Sequence, residues 1–364
     1  MSAGTQLRGA DLSCPKCGEP VLPGDAFCEG CGAQLVNASP GVDHAPDPAA
    51  PAPAAPGPGV SGPASAPGLG SGSGRACPCG SGVADPDGYC TDCGRLVPVE
   101  RDHLEVDLGQ LGGLVTDRGL RHSRNEDAGR LVTTADGGVL AVVADGVSTA
   151  LDPQIASDVA SAAVVRVLGP VAGPPTDAQL VAAVAAASDA VAGVTAPPPP
   201  PGGPPRPIVV PACTLVAACR SGAVIRVLNV GDSRAYWLPD VGPVELLTVE
   251  DSLAAEAIAA GIPPEIAYHA PGAHSITAWI GVDAGPLAPH LSRRDVTAPG
   301  TLIVCSDGLW NYLTDPAEFA AVVRRHLAGA AGSPIAAARS LTEFARAAGG
   351  HDNITVAVVP ISEP

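Results

Sequence analysis

The sequence predicts an α+β fold in which two antiparallel sheets carry helices on their outer sides, preceded by two small metal-stapled modules. Three observations predict it. First, the runs Val139-Leu140-Ala141-Val142-Val143-Ala144 and Leu302-Ile303-Val304-Cys305 have the composition of strands buried on both faces, and each halts near Asp-Gly. Second, strand blocks are followed by pairs of capped helical segments, the order expected of sheets covered from outside. Third, eight of the 11 cysteines fall in two compact clusters near the start of the chain.

The 364 residues include 44 Gly and 40 Pro, so the packed portion is smaller than the length suggests. With 3% aromatic against 46% hydrophobic residues, the core must be built from Ala, Val, Leu and Ile. A formal charge of -17 argues against a nucleic-acid or anionic-membrane surface, which would need clustered Lys and Arg. No apolar run is long enough to span a bilayer, and the amino terminus lacks a basic segment followed by an apolar one. The expectation is a cytoplasmic protein whose clustered thiols bind metal rather than pair as disulfides.

Cys14, Cys17, Cys28 and Cys31 form C-x2-C-x10-C-x2-C, with Gly18 and Gly32 after each pair to turn backbone amides toward the sulfurs. That spacing predicts a tetrahedral zinc ribbon over residues 10–36. Cys77, Cys79, Cys90 and Cys93 repeat the pattern one residue short in the first knuckle, and are read as a second zinc ribbon over 76–98. Neither has enough apolar area to fold without its metal. Residues 37–75 between them are dominated by Pro, Ala, Gly and Ser and are read as a flexible linker.

From residue 104 to 361 the texture changes to strands and helices with clear punctuation. Strands are expected over 111–116, 129–134 and 139–145, the last two joined by the Ala135-Asp136-Gly137-Gly138 turn. Asp152 and Asp177 are expected to cap helices running to about Leu168 and Val194. A Pro-rich loop occupies 197–207, and strands follow over 213–220, 224–230 and 235–238. Asp315 and Ser333 cap two late helices, the second stopped by Gly349-Gly350 before a terminal strand over 353–359.

Asp145 and Asp307 end apolar strands and Asp352 opens another. A carboxylate at the mouth of a core strand is costly unless a cation or donors pair with it, and the Gly146 carbonyl offers a further oxygen ligand. Three such carboxylates converging on one cleft would suit hard divalent cations. Cys213, Cys219 and Cys305 lie inside apolar strands and are read as ordinary buried thiols.

Five segments in order, Asn125-Glu126-Asp127, Val143-Ala144-Asp145-Gly146, Asn229-Val230-Gly231-Asp232-Ser233-Arg234-Ala235-Tyr236, Cys305-Ser306-Asp307-Gly308-Leu309 and Gly349-Gly350-His351-Asp352-Asn353-Ile354-Thr355, resemble the successive motifs of PP2C-type (PPM) metal-dependent serine/threonine phosphatases. The resemblance implies an α-β-β-α sandwich around a binuclear Mn2+ or Mg2+ centre that hydrolyses phosphoserine and phosphothreonine. By that likeness Asp145 bridges both ions, Gly146 binds one through its carbonyl, Asp307 and Asp352 complete the other, Asp127 holds water, and Asp232 serves a third site. Implied partners are phosphoprotein substrates, a cognate serine/threonine kinase and a protein recruited by the ribbons. No nucleic acid or membrane is expected.

The chain departs from that pattern in places. His122, flanked by Arg121 and Arg124, stands where the family places its phosphate-binding arginine, so which of the three contacts phosphate is open. Val147-Ser148-Thr149 replaces a glycine-rich continuation, and Val147 takes the place of a histidine that eukaryotic members offer as general acid. Residues 263–274 match a mobile flap, where His269 and His274 are read as surface or packing residues. These departures support an alternative: a pseudophosphatase that binds phosphoproteins while the ribbons recruit a partner.

Overall fold

The computed structural model describes residues 75–85, 88–194, 210–285 and 287–362. The first cysteine cluster, the linker up to residue 74 and the Pro-rich loop lie outside the described residues. The chain divides into two compact units, Met1–Pro98 and Val99–Pro364.

In the first unit, the bridges Ala76↔Val83, Ala84↔Cys90 and Tyr89↔Leu96 fold the second cysteine cluster back on itself. Its buried apolar cluster is only Cys77, Ala84, Cys90 and Val97. Among the described residues, these four small side chains offer little apolar burial against the conformational entropy of the segment.

The second unit begins with strands β1 (His103–Asp107) and β2 (Gly113–Asp117), then β3 (Ala128–Thr133) and β4 (Val139–Ala144). Helices α1 (Pro153–Leu168) and α2 (Asp177–Ala192) follow. Next come β5 (Ala212–Cys213), β6 (Leu215–Ser221), β7 (Val224–Val230), β8 (Arg234–Pro239) and β9 (Glu245–Leu246). Short helices α3 (Leu253–Ala259) and α4 (Pro264–Ala267) precede β10 (Ile280–Gly281), β11 (His290–Asp295) and β12 (Gly300–Cys305). Helices α5 (Asp307–Trp310), α6 (Pro316–Gly329) and α7 (Pro334–Ala347) lead to the closing strand β13 (Ile354–Ile361).

One six-stranded sheet runs β1-β2-β13-β12-β8-β9 and one five-stranded sheet runs β11-β7-β6-β4-β3, all neighbours antiparallel. The alternation of side chains along a strand divides the core into layers. On β12, Leu302 and Val304 face the other sheet with Ala141 and Val143, while Ile303 and Cys305 face α6 and α7. On β4, Leu140, Val142 and Ala144 face α1 and α2. The two runs read as buried on both faces are therefore interior strands of the two sheets, and the architecture is the α-β-β-α sandwich.

Several local expectations shift. The first sheet gains β1, whose His-Leu-Glu-Val-Asp composition and exposed side chains gave no apolar pattern to read. Asp152 does not cap α1 through its side chain; it sits at φ 44°, in the left-handed region open to Asp, and Pro153 opens the helix. Thr176, not Asp177, caps α2: its hydroxyl accepts from Gln179 N, and the Gln179 side chain reaches back in a capping box. Asp315 and Ser333 do cap α6 and α7, accepting from Glu318 N and Ala336 N.

Leu302 is fully buried between the sheets, and its truncation leaves a void that neither sheet can close. Leu302→Ala is expected to lower unfolding free energy by about 3 kcal/mol in urea titration. Val241→Ala, at a side chain 90% exposed, should change it by less than about 0.5 kcal/mol.

Candidate active site

The ends of β4 and β12 deliver Asp145 and Asp307 from opposite sheets to one side of the sandwich, and the residues leading into β13 bring Asp352 beside them. Together with Gly146 and Asp232, which follows β7, these three carboxylates line a single cleft of about 550 Å³. Asp127 lies behind them, 1% exposed, at the start of β3.

Neutral side chains hold the carboxylates of Asp127 and Asp307, and Thr214 holds the backbone of Asp145. Asp127 Oδ2 accepts from Thr355 Oγ1 at 2.7 Å and from Ser306 Oγ at 2.8 Å. Asn311 Nδ2 donates to Asp307 Oδ2 at 2.8 Å. Thr214 holds Asp145 by its backbone: Thr214 N donates to Asp145 O at 2.7 Å and its hydroxyl accepts from Asp145 N at 3.3 Å. Asn353 ties its own motif to the loop before β3, accepting from Glu126 N at 2.6 Å and donating through Nδ2 to Arg118 O at 2.8 Å and Arg124 O at 3.1 Å. Gly308 lets α5 approach this loop, because a Cβ there would lie 1.9 Å from Asn353 O.

Burial and mutual repulsion act together on the acids. Burial first, then the charge of Asp352, pushes Asp127 up to about 6. Burial and Glu250 push Asp232 up to about 7. Asp145 and Asp307 are driven well above the usual carboxylate range by burial and by the surrounding acids. Among the described residues lining the cleft there is no Lys or Arg. Asp127 Oδ1 and Asp307 Oδ1 are buried with no hydrogen-bond partner among the described residues.

Such a constellation is unfavourable unless cations enter it. Its donors are all oxygen, the chemistry of Mn2+ and Mg2+ rather than of soft ions. Among the described residues only the four cysteines bring three or more ligand atoms within 4.8 Å of one another.

The candidate phosphate ligands behave differently from one another. His122 Nε2 lies 3.2 Å from Asp352 Oδ1. Arg124 Nε is 2.9 Å from Glu126 Oε1, and Arg121 is exposed. None of the three lines the cleft. Of the two flap histidines, His269 turns away to Glu265 O at 2.8 Å, whereas His274 lines the cleft. Behind it, Arg234 stacks 3.4 Å from the centre of the Trp310 ring and pairs with Glu250, while Trp310 Nε1 donates to Asp232 O at 3.0 Å. Cys213, Cys219 and Cys305 are buried, and burial pushes each thiol up to about 12, the state of inert core cysteines.

In the first unit, Cys77, Cys79, Cys90 and Cys93 converge. The Sγ atoms of Cys77 and Cys93 are 3.7 Å apart and those of Cys79 and Cys90 3.6 Å. The edge of a tetrahedron with Zn–S bonds of about 2.3 Å is about 3.8 Å, so the four thiols fit one zinc ion. Cys79 N, Asp92 N and Cys93 N donate to the sulfurs, as knuckle amides do. The Ser81 amide, then its hydroxyl and the Gly82 amide, pull Cys79 down to about 5. The one-residue shortening is absorbed at Gly82, where a Cβ would lie 2.3 Å from Cys90 Sγ.

Sequence reading missed the supporting residues: Arg101, Thr214 and Trp310. Each acts through a backbone group or a ring face, which leaves no spacing signature.

The family model for protein phosphatase 2C matches residues 120–344. The chain belongs to the protein phosphatase 2C family. A zinc-ribbon domain model matches residues 13–35, which contain Cys14, Cys17, Cys28 and Cys31. The serine/threonine phosphatase stp of Listeria innocua is 31% identical over 249 residues, covering 67% of this chain and 93% of that one. The serine/threonine protein phosphatase PstP of Mycobacterium tuberculosis is 29% identical over 247 residues, covering 68% of this chain. The alignment spans 44% of the length of PstP. The solved catalytic domain of PstP in complex with two manganese ions superposes with a TM-score of 0.54 at 26% identity, covering 69% of this chain and 98% of that domain.

Two predictions follow from this geometry. Gly308→Ala must displace the Asn353 loop, and should lower Tm by several degrees in a thermal melt. Acids whose folded pKa is raised contribute stability at low pH that is lost as pH rises through that value. In EDTA, Tm should therefore fall between about pH 4 and pH 7, from the ordinary carboxylate value to the raised values of Asp127 and Asp232, and saturating Mn2+ should reverse the trend.

Proposed function

We propose that the second unit is a Mn2+- or Mg2+-dependent protein phosphatase that hydrolyses phosphoserine and phosphothreonine monoesters. The observation that carries this reading is the gathering of Asp145, Asp232, Asp307 and Asp352 in one cleft without a basic residue in its described lining. The manganese ions of the PstP domain support the same identity for the metal.

Asp145, the Gly146 carbonyl, Asp307 and Asp352 would hold two ions, and Asp232 a third. Bound there, divalent cations lower the pKa of water and offset charge on phosphoryl oxygens, both needed for a hydrolysis that is very slow unaided. The protein's own part is orientation. Ser306 and Thr355 occupy one oxygen of Asp127, so the other is left to hold water. Asn311 does the same for Asp307, and Thr214 fixes the backbone at Asp145. His122 Nε2, 3.2 Å from Asp352 Oδ1, supports His122 among the three candidates, with Arg121 and Arg124, for meeting substrate phosphate. No cysteine nucleophile enters, since the three core thiols stay protonated.

The domain division follows the same reading: ribbons at 10–36 and 76–98, each with one structural Zn2+, joined by the 37–75 linker, then the phosphatase domain at 104–361. Phosphoproteins are the substrates, a serine/threonine kinase supplies them, and the ribbons engage a protein partner in the cytoplasm. Among the described residues no helix is long and apolar enough to cross a membrane.

The test is turnover of a phosphothreonine peptide with and without Mn2+. Activity should vanish in EDTA, and Asp145→Asn should lower kcat by at least about 100-fold. The same preparation should favour phosphothreonine over phosphotyrosine peptide. The departures at His122 and at Val147-Ser148-Thr149, which lines the cleft, motivate a second reading, a phosphoprotein-binding pseudophosphatase, which would show phosphopeptide binding but no hydrolysis at saturating Mn2+. For the second ribbon, Cys90→Ser should remove about one zinc per chain by inductively coupled plasma analysis, while Mn2+-dependent turnover persists.

A further inference from the structure

We propose that Arg101 is a positioning residue that sets the carboxylate of Asp127, an inference that rests on the reading of Asp127 given above. Arg101 lies in the segment leading into β1, three residues past Pro98, where the second unit begins. Its Nε donates to Asn125 O at 2.9 Å and its Nη2 to Asp127 O at 3.0 Å. Nη2 also donates to Ser157 Oγ at 3.3 Å, and Ser157 Oγ donates to Glu126 O at 2.5 Å. One guanidinium, with one hydroxyl from α1, thus binds three successive carbonyls of the Asn125-Glu126-Asp127 loop. The contact is reciprocal, for Asn125 Nδ2 donates to Arg101 O at 3.2 Å and to Thr116 Oγ1 at 2.9 Å.

A simpler role for Arg101 would be an ion pair with Asp158. Its Nη1 is 3.9 Å from Asp158 Oδ1, an edge-of-range contact, and Arg130 Nη2 already serves that oxygen at 2.7 Å. The planar fork of the guanidinium is spent on backbone oxygens instead, which a lysine could not match with its single point of charge. Those oxygens belong to the loop whose last residue places Asp127 between Ser306 and Thr355. Rotating the Asp127 peptide would carry its carboxylate off both hydroxyls, and the loss would appear in turnover and metal affinity before it appeared as unfolding.

The experiment is a double-mutant cycle in the full chain, assayed on a phosphothreonine peptide at saturating Mn2+, with Mn2+ affinity titrated in parallel by electron paramagnetic resonance. Arg101→Met is expected to lower kcat about 10-fold and to weaken Mn2+ binding, with KM near its original value and Tm above the assay temperature. In an Asp127→Asn background the same change should alter kcat less than about 2-fold, because its target is gone. Arg101→Lys, which keeps the charge, should fall between, and stands in if Arg101→Met does not fold. Equal losses in both backgrounds, or an unchanged kcat in Arg101→Met, would overturn the proposal. An Asp127→Asn variant with full activity would instead remove the role of Asp127, and this proposal with it.

Discussion

The structure turns on the cost of keeping several carboxylates close together in a half-buried cleft. Charge repulsion and desolvation both oppose it, and each raises the pKa of the acids concerned. The two-sheet sandwich makes the arrangement attainable. Its interior strands are packed so completely on both faces that the residues at their ends have little freedom to move apart. Rigid strands supply the positions, hydroxyls and amides supply the orientation, and the remaining charge is left for ions. That division explains why the neighbours of the acids are Ser306, Thr355, Asn311, Thr214 and Asn353 rather than arginines. A cation from the protein at those places would compete with metal.

The second cysteine cluster solves a related problem with other atoms. Among the described residues its apolar interior is small, and the four thiols are spaced to suit a metal ion. The oxygen donors of one unit suit hard ions and the thiols of the other suit soft ones.

Much of this was legible in the amino-acid order. The double-sided apolar runs at 139–144 and 302–305 gave an interior strand of each sheet, because burial on both faces leaves nothing but hydrophobic residues to see. The placing of Asp145 and Asp307 after those runs gave the cleft. The edge strand β1 was not legible, since its exposed residues need no pattern. Nor was Thr176 as a cap, because Asp177 next to it has the same propensity and only the backbone angle decides. The supporting residues were hidden for a different reason. Thr214, Arg101 and Trp310 work on main-chain atoms or ring faces contributed by distant segments, and their effect is a property of three-dimensional proximity.

The place of Arg101 bears on how the catalytic half can be isolated. Strand texture suggests trimming the chain at residue 104, and such a cut would discard the guanidinium that ties down the Asn125-Glu126-Asp127 loop. A fragment prepared that way would keep every acid of the cleft, yet its loop would be anchored from one side only. Sluggish hydrolysis by the shortened enzyme would then reflect a missing tether, and would say nothing about whether the ribbons themselves stimulate it.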